Sequence, residues 1–308
     1  MKLRYCLALF LAFFSCFCTN AAGLYMHSFG DAAKPAIIFL HGGPGYNCAA
    51  FEMSTAAALA DAGYFVVVYD QRGCARSSGE GAKYTFDEAV TDLQAVYDAY
   101  HLKHANLLGH SFGGAVALRF AEVHPGEVSH LILLSAPLDY PATFKTILVH
   151  CRAYYQANSP ANLKYMDMLD TMNTTTLAYA SYTFMNALNC KLYYPRDQTK
   201  EAADIYRNMK KDTLAKYLIM NSREAVSGFY TSEHYTTLTF FALLQKDMPN
   251  VKIFGIFGAE DGLFDDAQRD KIKEYIGANN FHLIKGASHN VFLDQRTGFI
   301  KAVQDILQ

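Results

Sequence analysis

Short apolar runs alternate with stretches of helical periodicity along most of this chain. Ala36–Leu40 (AIIFL) and Tyr64–Tyr69 (YFVVVY), the second rich in β-branched and aromatic residues, are short apolar runs, and Ala105–Leu108, Leu131–Leu134, Val251–Phe257 and Phe281–Ile284 follow. Runs without polar alternation suit strands buried on both faces, as in a parallel sheet. Between them, Met53–Ala62, Phe86–Tyr100, Phe112–Val123, Ala267–Ile276 and Gly298–Leu307 read as helices. Thr85 sits where an N-cap belongs, with Glu88 three residues on as its capping-box partner. Strand–helix alternation of this kind predicts a doubly wound sheet with helices on both faces.

The alternation stops after Leu134. Residues 139–245 carry helical patches, many tyrosines and no strand pattern. A segment this long is not one structureless loop in a compact domain. It reads as a helical cap inserted into a core formed by residues 23–138 and 246–308, over the sheet edge where α/β proteins place ligands.

The first 22 residues differ again. Met1-Lys2-Leu3-Arg4 is a basic start, Tyr5–Phe17 is apolar, and small residues follow. This layout predicts an export signal cleaved near Ala21 or Ala22, the apolar run being short for a span of roughly 20 residues. Phe14-Ser15-Cys16 also resembles a loose lipobox, which would leave a lipid anchor at Cys16. The expectation is an exported protein, periplasmic or secreted, with no membrane span.

Composition changes little: the chain is 51% apolar and 18% charged, with formal charge −2, an ordinary globular balance that argues against a nucleic-acid partner. Of seven cysteines, Cys48, Cys74, Cys151 and Cys190 lie beyond the signal, too few for a disulfide scaffold and with no zinc-like spacing. Cys151 and Cys190 are the pair expected to bridge if any does; four unpaired thiols are the alternative.

The chemistry begins at Gly109-His110-Ser111-Phe112-Gly113-Gly114, between a strand and a helix. A G-x-S-x-G motif needs its glycines because the strand turns so sharply into the helix that side chains would collide, and the strained turn lifts the serine hydroxyl clear of the sheet. Ser111 is therefore the candidate nucleophile. A serine hydroxyl needs a base, and chain order on such a sheet is serine, acid, histidine. His289 follows a loop after the last strand and is the candidate base. His282 lies inside that strand and His234 in the cap. Asp261, just after Val251–Phe257, is the candidate acid, with Glu260 as near alternative and Asp139 as a lesser one. Asp265 and Asp266 read as solvated charges opening a helix. An oxyanion needs preorganised donors. The Phe112 N–H at the helix start is one, and Gly43 N–H, in the loop His41-Gly42-Gly43-Pro44-Gly45, is the other.

That loop, with Asp70-Gln71-Arg72-Gly73-Cys74 and the serine motif, resembles the proline iminopeptidase branch of the α/β hydrolases. The resemblance implies the α/β-hydrolase fold and a serine exopeptidase acting on short peptides, with Ser111, Asp261 and His289 as triad and Gly43 and Phe112 at the oxyanion positions. It makes Asp70 and Arg72 architectural. Such relatives commonly carry Trp after the serine and a Trp-rich cap motif ending in an amine-gripping Glu; here Phe112 and Tyr182-Thr183-Phe184-Met185-Asn186 stand instead. Tyr182, Glu224 and Glu233 are the cap residues proposed to meet substrate, and Tyr154, Tyr155, Tyr179 and Tyr230 are further candidates for its pocket. The mechanism calls for no metal or organic cofactor. An esterase or amidase with the same triad is the alternative, and a non-catalytic binding protein a remote one.

Overall fold

The computed structural model describes residues 23–78 and 81–308. The export signal and Cys16 lie outside the described residues. Seven strands form one sheet: β1 (Met26–Phe29), β2 (Ala36–Leu40), β3 (Phe65–Tyr69), β4 (Ala105–His110), β5 (Val128–Leu134), β6 (Lys252–Gly258) and β7 (Phe281–Ile284). Their order across the sheet is β1-β3-β2-β4-β5-β6-β7. All neighbours pair in parallel except β1, which runs antiparallel to β3. The six strands expected from apolar runs are all present. β1 was not expected: it is a short edge strand whose last three residues are only part-buried, so it carries no apolar run to read.

The strands divide their side chains between two cores, because successive residues point to opposite faces. On one face Ile38, Val67, Leu107 and Leu133 pack with Val96, Val116 and Phe120 of the helices Phe86–Ala99 and Phe112–Val123. On the other, Ile37, Phe39, Val66, Leu108 and Ile132 meet Phe51, Leu59, Phe292 and Phe299. The predicted helices stand within a few residues of their expected ends. In place of Met53–Ala62, however, stand a short helix Ala49–Phe51, a π turn Glu52–Ala56 and a helix Ala57–Asp61. Thr85 does accept the Glu88 N–H at 3.1 Å, but the Glu88 carboxylate turns to the N–H groups of Lys83 and Tyr84, so only half of the capping box forms. Asp265 is no solvated charge: it caps the helix Asp266–Ile276 in a full capping box with Gln268.

Between β5 and β6 the chain is helical, its main helices being Tyr140–Asn158, Leu163–Thr171, Leu177–Asn189, Lys200–Met209 and Arg223–Glu233. Asp139, Thr176, Thr199 and Ser222 cap four of them with side-chain oxygens on the N3 amides. The insertion lies on the loops that follow the parallel strands: Ser222 N–H donates to the Gly45 carbonyl (2.8 Å), and Gly262 N–H to that of Leu192 (3.0 Å). Cys48, Cys74, Cys151 and Cys190 are all buried and free, as in the reading with four unpaired thiols, and Cys151 and Cys190 form no bridge. No described helix is long and apolar enough to cross a membrane.

Candidate active site

Parallel strands deliver their carboxyl ends to one edge of a sheet, and the loops leaving that edge converge. β4 ends at His110, and Ser111 follows with φ 52° and ψ −122°, a left-handed conformation costly for any residue with a side chain. The neighbouring glycines explain how the turn is tolerated. A Cβ on Gly109 would lie 2.7 Å from the Gly113 carbonyl oxygen and the Gly114 Cα, and one on Gly113 would lie 2.3 Å from the Leu40 carbonyl oxygen. Ser111 N–H donates to Leu134 O at 2.9 Å, tying the turn to β5. Phe112 then opens its helix. The first N–H groups of a helix have no partner within it, and the Ser111 side chain does not cap them.

The glycine–proline loop after β2 lies against this turn: a Cβ on Gly42 would be 2.8 Å from Ser111 Cβ. Gly43 has φ 138°, a conformation that L side chains rarely adopt. His41 holds the loop. Its Nδ1–H donates to Gly42 O at 2.8 Å, and its Nε2 accepts the Gln71 N–H at 2.9 Å. Burial keeps this imidazole's pKa below the ordinary value, so it serves as a neutral brace.

Asp261 lies in the turn after β6 and His289 in the loop after β7. Both are buried, and His289 Nδ1 meets Asp261 Oδ2 at 2.8 Å. Asp261 Oδ1 accepts the Leu263 N–H at 3.1 Å, which orients the carboxylate. The two loops are packed backbone to backbone, since a Cβ on Gly258 would fall 2.2 Å from Ser288 O. His289 is joined to the serine turn by His110, whose Nε2–H donates to His289 O at 3.1 Å; the ring centroids are 5.0 Å apart. Burial, with the neighbouring His289, pushes the His110 pKa down to about 3.

Behind His289 lies Asp294. It accepts the Ser288 N–H at 2.9 Å, and Tyr206 of the insertion reaches its other oxygen at 3.4 Å. Burial raises its pKa to about 6 despite these hydrogen bonds, with the Asp261 charge adding to the rise. Neither His110 nor Asp294 was given a role from the sequence, although His110 lies inside the serine motif and Asp294 five residues beyond His289.

Other candidates stand elsewhere. Asp139 caps the helix Tyr140–Asn158, and the Glu260 carboxylate accepts the Arg196 N–H at 2.7 Å. His282 is on β7, half-buried, and His234 ends the helix Arg223–Glu233 in a left-handed conformation. Glu224 is exposed in the first turn of that helix, and the Glu233 carboxylate is engaged by the Phe86 N–H at 2.7 Å. Tyr182 faces outward, 43% exposed. Tyr155 is buried and donates to Asn186 Oδ1 at 2.7 Å, and Tyr179 packs edge-on against Phe144. Tyr154 packs against Tyr155, and Tyr230 against His234. The contacts named for these cap residues are made away from Ser111, Asp261 and His289. Among the described residues no three His, Cys, Asp or Glu side chains are grouped so as to hold a metal ion.

Asp70 and Arg72 sit below this edge. Asp70 is fully buried and accepts N–H groups of Cys48 and Arg76 and the Arg76 guanidinium, while Arg72 donates to Asp92. Arg76 also pairs with Glu52 at 2.8 Å and lies between the rings of Tyr25 and Tyr217, 3.6 and 4.9 Å from their centroids. Burial pushes the Asp70 carboxyl up, but the hydrogen bonds and charge of Arg76 outweigh it and hold its pKa below the usual value.

Compared with known proteins, the family described as the alpha/beta hydrolase fold matches residues 35–295. The chain belongs to this family. Among its α/β-hydrolase relatives, the proline iminopeptidase of Lactobacillus helveticus is 25% identical over 280 residues, covering 89% of this chain and 90% of the relative. Epoxide hydrolase B of Mycobacterium tuberculosis is 35% identical over 126 residues, 38% of this chain and 34% of that one. Solved structures agree on the fold. A proline iminopeptidase-related protein of Thermus thermophilus superposes with TM-score 0.64 at 23% identity over 92% of both chains. An esterase of Exiguobacterium antarcticum gives 0.61 at 19% identity, over 95% of this chain and 99% of its own.

Proposed function

We propose that this α/β hydrolase is a serine hydrolase that works through an acyl-enzyme on Ser111, exported from the cell, and that it is an aminopeptidase of proline iminopeptidase type acting on short peptides. The observation carrying the reaction type is the buried His289–Asp261 pair, 2.8 Å apart, on loops packed against the turn that holds Ser111 at φ 52°. Ser111 Oγ attacks the carbonyl carbon while His289 takes its proton. The oxyanion is received by the N–H groups of Phe112 and Gly43. His289 returns the proton to the leaving amine, and water repeats the sequence on the acyl-enzyme. Asp261 holds the imidazole tautomer with Nδ1–H toward itself and stabilises the imidazolium. Nothing in this cycle requires a metal or organic cofactor.

The peptidase assignment rests on the Lactobacillus helveticus relative, alike over nine-tenths of its length, and on the HGGPG and DQRGC motifs. A second reading, an esterase or amidase on small acyl substrates, is favoured by one observation. Of the two cap carboxylates considered as amine anchors, Glu233 is spent on the Phe86 N–H and Glu224 is exposed. Aminoacyl anilides with free and with blocked N-termini, assayed beside simple esters, separate the two. The peptidase reading predicts that blocking the amine lowers kcat/KM at least about tenfold; equal or better turnover of blocked substrates contradicts it.

A further inference from the structure

The insertion meets the acid–base pair with an irregular strap that joins the helix Leu177–Asn189 to the helix Lys200–Met209. Lys191 turns the chain with φ 60°. The Leu192 carbonyl then accepts from two sides, from Gly262 N–H at 3.0 Å beside the acid and from Ser288 Oγ at 3.2 Å beside the base. Arg196 N–H closes the strap onto the Glu260 carboxylate at 2.7 Å. Gly262 leaves room for this: a Cβ there would lie 2.7 Å from that of Leu192. The strap is therefore registered separately against each catalytic loop, and Tyr193 lies between those anchors.

The Tyr193 ring stands edge-on to His289, with centroids 5.1 Å apart and planes at 89°. The residue is part-buried, and burial raises the pKa of its hydroxyl well above the ordinary value. Tyr46, directly after the glycine–proline loop, Tyr140 and Asp261 lie within electrostatic reach of its hydroxyl. The buried Tyr140 hydroxyl has no hydrogen-bond partner among the described residues.

In acyl transfer the Oγ–C bond forms as the carbonyl π pair moves onto oxygen; when that pair returns, the bond from carbon to the leaving nitrogen or oxygen breaks and the imidazolium proton passes to the departing atom. The departing atom stands within proton reach of the imidazole, so a ring packed edge-on against His289 is placed to meet what that atom carries. We propose that Tyr193 is a specificity-determining residue for the leaving group, its phenol ring favouring an amine or alcohol with a flat apolar body over a small one. The proposal rests on the acyl-enzyme mechanism at Ser111.

The test uses the full chain and a series of esters sharing one acyl group, acetyl or alanyl, with phenyl, benzyl and methyl leaving groups. Comparing each variant with wild type on the same ester cancels intrinsic reactivity. Tyr193→Ala and Tyr193→Leu lower kcat/KM for the aryl and benzyl esters about tenfold more than for the methyl ester. Tyr193→Phe, which keeps the ring, stays within about threefold of wild type across the series. Deacylation, after the leaving group has gone, changes far less than acylation in rapid-mixing experiments. A loss equal across leaving groups, a matching loss in deacylation, or no loss at all overturns the role of Tyr193. Mass spectrometry of the quenched wild-type enzyme tells this apart from a failure of the mechanism. Acyl on Ser111 with a uniform loss sinks the strap's role alone; no acyl on Ser111 sinks both.

Discussion

Asp294 and Asp261 show how two buried carboxylates on neighbouring loops take different work. Asp261 has His289 as its partner, whereas Asp294 has only a backbone N–H and a tyrosine hydroxyl, and burial raises its pKa to about 6. Because this folded value lies above the ordinary 3.8, the native state holds a proton between the two that the unfolded chain releases. The carboxylate therefore costs stability above pH 6 and nothing below pH 3.8. Asp294→Asn is expected to raise Tm by about 2–5 °C at pH 8 and by little at pH 4. Scanning calorimetry at both pH values checks this; a variant less stable at pH 8 contradicts it. Asp261→Asn acts on chemistry instead, lowering kcat by roughly 10⁴-fold with the fold retained, since the imidazole then takes the wrong tautomer. Ser111 was legible because its strain is local and leaves glycines on both sides. His110 and Tyr193 owe their roles to contacts with His289, 179 and 96 positions away, and Asp294 owes its own in part to Tyr206, 88 positions away; no local pattern records such contacts.

Between strands and helices the same logic is carried by missing side chains. The glycine–proline loop and the serine turn approach so closely that Gly42 has no room for a methyl group: its Cβ would stand 2.8 Å from that of Ser111. Gly42→Ala is expected to shift the loop carrying Gly43 and lower kcat by about 10²-fold, the scale of losing one oxyanion donor, with KM little changed. Unaltered kcat contradicts the placement of that donor. Most of the sheet could be read in advance, since β2 and β3 are fully buried apolar runs and β5 ends in a buried apolar stretch. β1 could not, because its sequence MHSF holds no apolar run and only Met26 in it is fully buried. The helix after the glycine–proline loop was expected to run straight, yet it holds a π turn at Glu52–Ala56 that begins on a buried glutamate bound to Arg76. That ion pair is made by residues 24 apart in sequence, out of reach of helical periodicity.

Over the whole molecule, one buried cation links the sheet edge, the π turn and the insertion. Arg76 satisfies Asp70 and Glu52 and lies between Tyr25 of the core and Tyr217 of the insertion. Removing one partner of such a cluster leaves charges buried without compensation, so Arg76→Met is expected to cost about 3–5 kcal/mol at pH 7. In wild type both carboxyls are held below their ordinary pKa values, so their stabilising contribution is present above those values and lost as pH falls through the depressed ones. Without Arg76 they protonate more readily, and the deficit should narrow between pH 7 and pH 5. Urea unfolding across that range checks the sign, a constant or widening deficit contradicting it. At this scale the doubly wound core and the position of the helical insertion followed from the alternation of apolar runs alone. The path of the insertion did not, because its helices are placed by docking onto loops and not by any repeat. In the proposed cycle Ser111 is the group that carries the acyl intermediate. The direct test is to treat the purified protein with a fluorophosphonate and locate the adduct by peptide mass spectrometry. A single adduct on Ser111, absent in Ser111→Ala and slowed at least about 10³-fold in His289→Ala, is the predicted result. Labelling at another residue, or undiminished labelling in Ser111→Ala, would contradict it.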